Sequence, residues 1–372
     1  MVARMVTGGE GKTVEELHEH LTRVIAGVRP VDPLCVARAR DRLDRLTKPC
    51  GSLGRLEEIA ARICGIQATT RPSATKRLVI VCAADHGVAV EGVSAYPSAV
   101  TPQMVANFVR GGAAINALAR SVGADVWIVD IGVAGSIPAS GDAAQLVARR
   151  IREGTRNMLR EPAMSESEML QAMAVGVEQA TRAADQGVEL LGIGDMGIGN
   201  TTAASAITAA VMRLPPQQVT GRGTGVDEAT LIRKVDVIER TLATHRPRSD
   251  RPLEILQTVG GLEIAALCGV CLGGAARRLV VMTDGLITTA AALLAVELCP
   301  AVSEYVFAAH LSPEPGHAVQ LERLGARPLL HLDMRLGEGT GAALAMTVVG
   351  AACAAFNEMA TFESAGVCEG PC

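Results

Sequence analysis

Apolar residues recur along this chain with two different periods. From Val14 to Ile25 they form a stripe at helical spacing, and Leu53 to Ile66 repeats it after the Gly-Ser break at 51–52. That spacing predicts helices over residues 14–65. From about residue 76 the texture changes to short unbroken aliphatic runs: Leu78–Cys82 (LVIVC), Val126–Ile131 (VWIVDI), Val188–Ile193 (VELLGI), Leu279–Thr283 (LVVMT) and Tyr305–Ala309 (YVFAA). Helix-like segments such as Pro102–Ser121 and Met169–Asp185 lie between them. Ser165 and Glu168 have capping-box spacing at the start of the latter. Residues 341–360 read as a last helix, expected to pack on the N-terminal ones, and His245–Arg251 (HRPRSDR) reads as a polar loop. The alternation predicts an α/β fold with a mostly parallel sheet covered by helices.

Composition narrows the function classes. The 372 residues make one large or two modest domains with a substantial core. Hydrophobic residues are 49% and charged residues 20%, the balance of a globular chain. Aromatics are 2% beside 39 glycines, so the core is aliphatic and base-stacking platforms for single-stranded nucleic acid are missing. A formal net charge of -4 with no long basic run argues against nucleic acid or an anionic membrane as partner. The longest uncharged run, Gly339–Asn357, is rich in Gly and Ala and reads as a buried helix rather than a membrane span. The N-terminus lacks the apolar stretch of a signal peptide. Ten cysteines follow no regular framework. Cys268 and Cys271 form a C-x-x-C inside an apolar stretch without a second pair, which reads as core rather than metal site, in a reducing cytoplasm.

Every expected strand is followed at once by Gly, Asp, Ser or His: ADHG (84–87), VDIG (129–132), GIGDMGIGNTT (192–202), TDG (283–285) and HLSPEPGH (310–317). Ligands of open α/β sheets sit at the carboxyl ends of strands, so five such ends imply one shared site. Gly8–Thr13 (GGEGKT) ends like a phosphate loop, but Val6 stands where the pattern needs Gly. Gly192–Gly197 matches G-x-G-x-x-G, yet residues 198–222 hold no acid to grip a dinucleotide ribose. Gly199, Asn200, Thr201 and Thr202 open the next helix and suit a mononucleotide phosphate at its N-terminus. Arg222, in TGRGTG, or Lys234 could complete that site; a solvated helix face is the alternative for Lys234. Asp195 could hold a ribose hydroxyl or stabilise positive charge on the sugar. Asp85 reads as a turn residue rather than half of a dyad with His86, since neighbours on a strand end point apart. Glu338, in RLGEGTG, lies between glycines that let a ligand approach and before an apolar run that would raise its pKa. On composition alone, a general base and a helix-end carboxylate are level readings.

These motifs in their order resemble the nicotinate-nucleotide:dimethylbenzimidazole phosphoribosyltransferases of cobalamin lower-ligand assembly. The likeness covers LTKPCGSLGRLEEIA (46–60), AADHGV (83–88), EGVSAYPSAVTPQM (91–104), GGAAINALAR (111–120), GIGDMGIGNTTAASAI (192–207), TGRGTG (220–225), GGLEIAAL (260–267), DGLITTAAALLA (284–295), SPEPGH (312–317) and LDMRLGEGTGAALA (332–345). The resemblance implies a Rossmann-like domain over residues 70–345, with a small helical domain from residues 1–69 and 346–372, and a homodimer. It implies nicotinate mononucleotide and 5,6-dimethylbenzimidazole as substrates, nicotinate and α-ribazole 5′-phosphate as products, and no cofactor or metal. Glu338 maps to the base, with Asp195 beside it. Gly197, Gly199, Asn200, Thr201, Thr202, Lys234 and Ser312 map to nucleotide contacts, and Tyr96, Gln103, Met104 and Leu336 to the base pocket. The chain departs from the family's usual pattern at Asp195, where many members have Glu, at Pro313, where Ala is usual, and at Tyr96, which varies.

The implied chemistry fits these residues. Nicotinate departs as a neutral ring nitrogen and needs no acid, and no pyrophosphate leaves that would call for Mg²⁺. The azole nucleophile gains positive charge on attack, which a base relieves. Other readings are the same donor with adenine or a phenolic acceptor, a non-catalytic nucleotide-binding subunit of a hetero-oligomer, and, more distantly, a dinucleotide oxidoreductase.

Overall fold

The structure is a computed structural model and describes residues 11–137 and 141–368; the first half of the phosphate-loop-like GGEGKT run lies outside them. Among the described residues six parallel strands form one sheet: β1 (Arg77–Ala84), β2 (Ala124–Gly132), β3 (Gln145–Ala148), β4 (Leu190–Met196), β5 (Val280–Thr283) and β6 (Val306–Ala308), in the order β3-β2-β1-β4-β5-β6. This is the Rossmann order, and the winding reverses between β1 and β4, where a crevice opens at the strands' carboxyl ends. β1 is buried from Leu78 to Ala84 because helices cover both faces of the sheet. The five expected strands are all present. The sixth, β3, is a short edge strand with one buried residue, and QLVA is too brief and too exposed to leave a periodic signal.

Two features differ from the sequence pattern. Pro102–Ser121 is not one helix but two, Val100–Arg110 and Ala114–Ser121. Gly111 takes a left-handed φ of 82°, and Asn116 bonds both the Ala113 amide and the Phe108 carbonyl across the break. The apolar stripe continues in phase through the Gly-Gly pair, so periodicity alone could not reveal it. The second is how tightly Leu262–Ala276 packs on Glu166–Asp185. A Cβ at Gly269 would lie 2.0 Å from the Met173 carbonyl oxygen, and one at Gly176 1.8 Å from that of Ala266. Glycines thus bring the two backbones into contact, and Cys268 and Cys271 are core residues of this helix, fully buried as thiols. Cys50 is disulfide-bonded.

Ser165 caps Glu166–Asp185 in the expected capping box. The C-terminal helix Thr340–Glu358 packs on Arg55–Gln67, as expected, and also on β1 and β4. It is apolar enough to cross a membrane by length and composition, but here it forms a wall of the core. Its N-terminus opens at the crevice.

Candidate active site

The ends of β4, β5 and β6 help enclose a cavity of about 650 Å³, the size range of small-molecule sites, while the ADHG and VDIG ends of β1 and β2, expected to share it, do not line it. The Met196–Thr201 turn after β4 forms one wall. It leads into the helix Asn200–Met212, whose N-cap, Gly199, has φ 100° and no side chain. The helix therefore presents its positive end to the cavity without a capping group of its own. Ser312 and Glu314 follow β6 and face this end, with Gly223 and Thr224 beside them. Glu314 Oε1 accepts the Gly223 amide at 2.8 Å. The Ser312 amide donates to His317 Nδ1 at 3.0 Å, which leaves the ring proton on Nε2 toward Thr289 Oγ1 at 3.1 Å. Burial, with His310 nearby, pulls His317 down to about 3, so it is a neutral strut for the Ser312 loop.

Lys234 is buried below this wall rather than on a solvated face. Its Nζ donates to Thr201 Oγ1 at 2.9 Å and to the Gly221 carbonyl at 3.2 Å. Burial lowers it to about 8, against the pull of Glu314. Its charge lies one hydroxyl behind the cavity surface. Arg222 turns away, to the Val226 carbonyl and the exposed Glu228.

Two carboxylates, Asp195 and Glu338, line the cavity beside the Met196–Thr201 turn. Asp195 ends β4, accepts a 2.7 Å hydrogen bond from Asn200 Nδ2, and is held well above the usual carboxylate range by burial, then by Asp284, Glu263 and Glu338. Glu338 is buried on a turn in which Gly337, Glu338 and Gly339 have φ of 89°, 63° and 84°. A left-handed non-glycine residue costs about 1–2 kcal/mol. The neighbouring structure holds it: Gly194 on β4 has no side chain, and a Cβ there would lie 2.5 Å from the Glu338 carbonyl group. Gly339 is needed for the same packing, since its Cβ would meet Val79 at 2.7 Å. The glycine after Glu338 thus serves contact with the sheet rather than a ligand. Glu338 Oε2 accepts the Ile115 amide at 3.2 Å, at the start of the helix Ala114–Ser121, and Oε1 has no protein partner among the described residues. Burial raises its pKa, the Ile115 bond opposes this, and Asp284 adds to it. The helix end near Glu338 is therefore not the one its sequence position suggests.

The structure brings Glu338, Asp195, Gly197, Gly199, Asn200, Thr201, Ser312, Tyr96, Met104 and Leu336 to this one cavity. Thr202 is buried behind it, and Gln103 is exposed outside its lining. Sequence reasoning assigned no role to Arg335, Glu314, His310 or Asp284. Arg335 lines the cavity, donates to the Gly223 carbonyl at 3.2 Å, and has no acidic partner among the described residues. A lone cation in a glycine-rich turn before a helix was its available signal. Asp85 takes the Ala134 amide at 2.8 Å, a turn residue as expected, while His86 pairs with Glu263 at 2.6 Å below the Gly197–Gly199 turn.

A sequence profile of a phosphoribosyltransferase family matches residues 28–367. A nicotinate-nucleotide–dimethylbenzimidazole phosphoribosyltransferase of Chloroflexus aggregans is 56% identical over 349 residues, 94% of this chain and 98% of that one. This chain belongs to that phosphoribosyltransferase family. The family member of Geobacter metallireducens is 52% identical over 350 residues, again 94% and 98% of the two chains. The crystal structure of CobT from Thermus thermophilus superposes with a TM-score of 0.86 at 50% identity, covering 91% of this chain and all of that one. The phosphoribosyltransferase fold is thus shared along nearly the whole length, and the cavity sits at its switch point.

Proposed function

We propose that this phosphoribosyltransferase takes nicotinate mononucleotide and 5,6-dimethylbenzimidazole, or a related base, and releases α-ribazole 5′-phosphate and nicotinate, in cobalamin nucleotide-loop assembly. One observation carries this reading. A single cavity is lined by an uncapped helix N-terminus with a buried lysine behind it and by a buried, partly unpartnered carboxylate. The first suits a nucleotide phosphate and the second a weakly acidic azole N–H.

The donor phosphate sits at Gly197–Thr201 with Ser312, and Lys234 supports it through Thr201. Arg335 offers its guanidinium to an acidic group of the donor. The azole lies between Tyr96, Met104 and Leu336. Its unprotonated ring nitrogen attacks C1′ as the bond from C1′ to the nicotinate nitrogen breaks, and that electron pair leaves with nicotinate. Attack from the opposite face turns a β-linkage into an α-linkage. Glu338 takes the proton from the other azole nitrogen, and raised basicity suits it to that task. General-base help of this kind contributes about 10²–10⁴-fold. Asp195 faces the sugar and stabilises the positive charge that develops there. The half-exposed apolar rim of Tyr96 and Leu336 supports a homodimer covering the cavity mouth, and the free thiols support a cytoplasmic setting, Cys50 being the exception.

The test is to incubate the purified protein with nicotinate mononucleotide and a panel of benzimidazoles, adenine and phenols, and to measure free nicotinate. Release with a benzimidazole is expected, and Glu338→Gln should keep donor binding while losing about 10²–10⁴-fold in kcat. No release with any acceptor would reject the reading in favour of a nucleotide-binding subunit.

A further inference from the structure

Of the buried carboxylates that the mechanism above does not use, Asp284 is the one bonded to the Glu338 turn. Asp284 follows β5 in the sequence TDG and is fully buried. Its Oδ2 accepts the Gly339 amide at 2.9 Å, and its Oδ1 accepts the Gly341 amide at 2.8 Å. His310 Nε2, from the segment after β6, stands 3.2 Å from Oδ1. The two amides belong to the first turn of Thr340–Glu358, whose N-cap is Gly339 and lacks a side chain. Asp284 therefore caps this helix from a different element. No side chain separates the partners, since a Cβ at Gly341 would lie 2.1 Å from His310 Cδ2 and 2.6 Å from Asp284 Oδ1.

The capped turn is the one that carries Glu338. Its three left-handed residues are held from within by Thr340, whose amide and hydroxyl both donate to the Gly337 carbonyl. Those bonds close the turn but do not fix where it stands on the sheet. Two features do: Gly194 beneath it, which admits the turn, and Asp284 beside it, which grips the amides just after Glu338.

We propose that Asp284 is a positioning residue for the transfer, tying the Glu338 turn to the end of β5 so that the Glu338 carboxylate stands at the azole N–H. The inference rests on the reading of Glu338 as base. Asp284 does not itself line the cavity and acts on Glu338 through the backbone. It has a second effect. Its negative charge adds to burial in disfavouring ionised Glu338, which makes Glu338 a stronger base when ionised. The groups facing Glu338 are Asp195 from β4, Asp284 after β5 and the Ile115 amide, while His310 faces Asp284 from the segment after β6.

The experiment measures kcat, donor KM and melting temperature of Asp284→Asn across pH, with Glu338→Gln beside it. The amide keeps the shape but turns an NH2 group toward one of the two backbone amides. We expect kcat to fall about 10²-fold, the cost of a misplacement near 1 Å, while donor KM changes little. The acid limb of the kcat profile should move to lower pH, because a negative neighbour of the base is gone. A structural cap alone would lower the melting temperature and leave both kcat and the limb in place, and that outcome overturns the inference while the base reading stands. Retained turnover in Glu338→Gln rejects the base reading and the inference with it. Should Asp284→Asn not fold, Asp284→Ser, whose hydroxyl accepts one amide, carries the same two readouts.

Discussion

Replacing Gly194 by alanine tests whether the strand beneath Glu338 decides where the carboxylate stands. Gly194 has no left-handed φ, so alanine adopts its backbone without strain. The added methyl, however, would sit 2.5 Å from the Glu338 carbonyl carbon and oxygen and from the Gly339 nitrogen, where ordinary contact begins near 3.4 Å. The atoms it meets are backbone and cannot rotate away. The turn must retreat by about 1 Å, which costs about 10²-fold when it misplaces a catalytic group. Overpacking of this kind costs about 1–3 kcal/mol, or about 2–4 °C of melting temperature per kcal/mol in a larger domain. Gly192→Ala is the control. It lies two residues earlier on the same face of β4, but its methyl would meet the flexible end of Met346 at 2.9 Å. Steady-state nicotinate release and thermal melting of the two variants decide the matter. We expect kcat to collapse in Gly194→Ala alone. Equal kcat in both variants would refute the claim that close strand–turn contact positions Glu338.

Other consequences follow from the buried charges. Asp195, held up by burial and its acidic neighbours, contributes stability that is full below about pH 3.8 and lost as pH rises through its raised pKa; Asp195→Asn should therefore melt above wild type at pH 8, lose that advantage in acid, and still turn over more slowly. A melting temperature below wild type at pH 8 would show that the carboxylate is structural. Lys234→Met should raise donor KM about 10–100-fold, matching the loss of a charged hydrogen bond worth about 1.5–3 kcal/mol. In wild type, donor affinity should weaken as pH rises through about 8, where the amine loses its charge; a flat profile from pH 7 to 9 would exclude Lys234 from phosphate binding. For His86, burial pulls its pKa down, but the Glu263 charge and hydrogen bond outweigh it, so the net shift is upward from 6.5. Breaking the buried pair with Glu263→Gln should cost about 3–5 kcal/mol. The melting deficit should be largest below pH 6.5 and shrink as pH rises through the raised His86 value, and a deficit that grows with pH would reverse the assignment.

What the sequence determined by itself is whatever depends on neighbours along the chain. Five strands follow from aliphatic runs flanked by turn residues, because a strand buried on both faces has little choice of composition. The Ser165 cap and the phosphate-type helix start at Gly199–Thr202 are local hydrogen-bonding patterns, visible within four residues. The run of strand ends marked the cavity in part. The ends of β4, β5 and β6 line it, while ADHG after β1 and VDIG at the end of β2 do not. Parallel topology brings carboxyl ends to one side of the sheet without bringing all of them to one cavity. The tertiary structure decided what depends on separation in space. Glu338 stood level between base and helix-end charge in the sequence. The fold turns its side chain from its own helix toward the amide of Ile115, far off in the chain, and buries it among Asp195 and Asp284. In the sequence Lys234 could complete a phosphate site or lie on a solvated helix face; the fold decides by burying it and desolvating its amine. Gln103, which shares a motif with Met104, lies outside the cavity because adjacent residues on a helix face different ways. Asp284 carries no local sign of its task, because its partners, Gly339, Gly341 and His310, all come from other elements, and only packing brings them within reach.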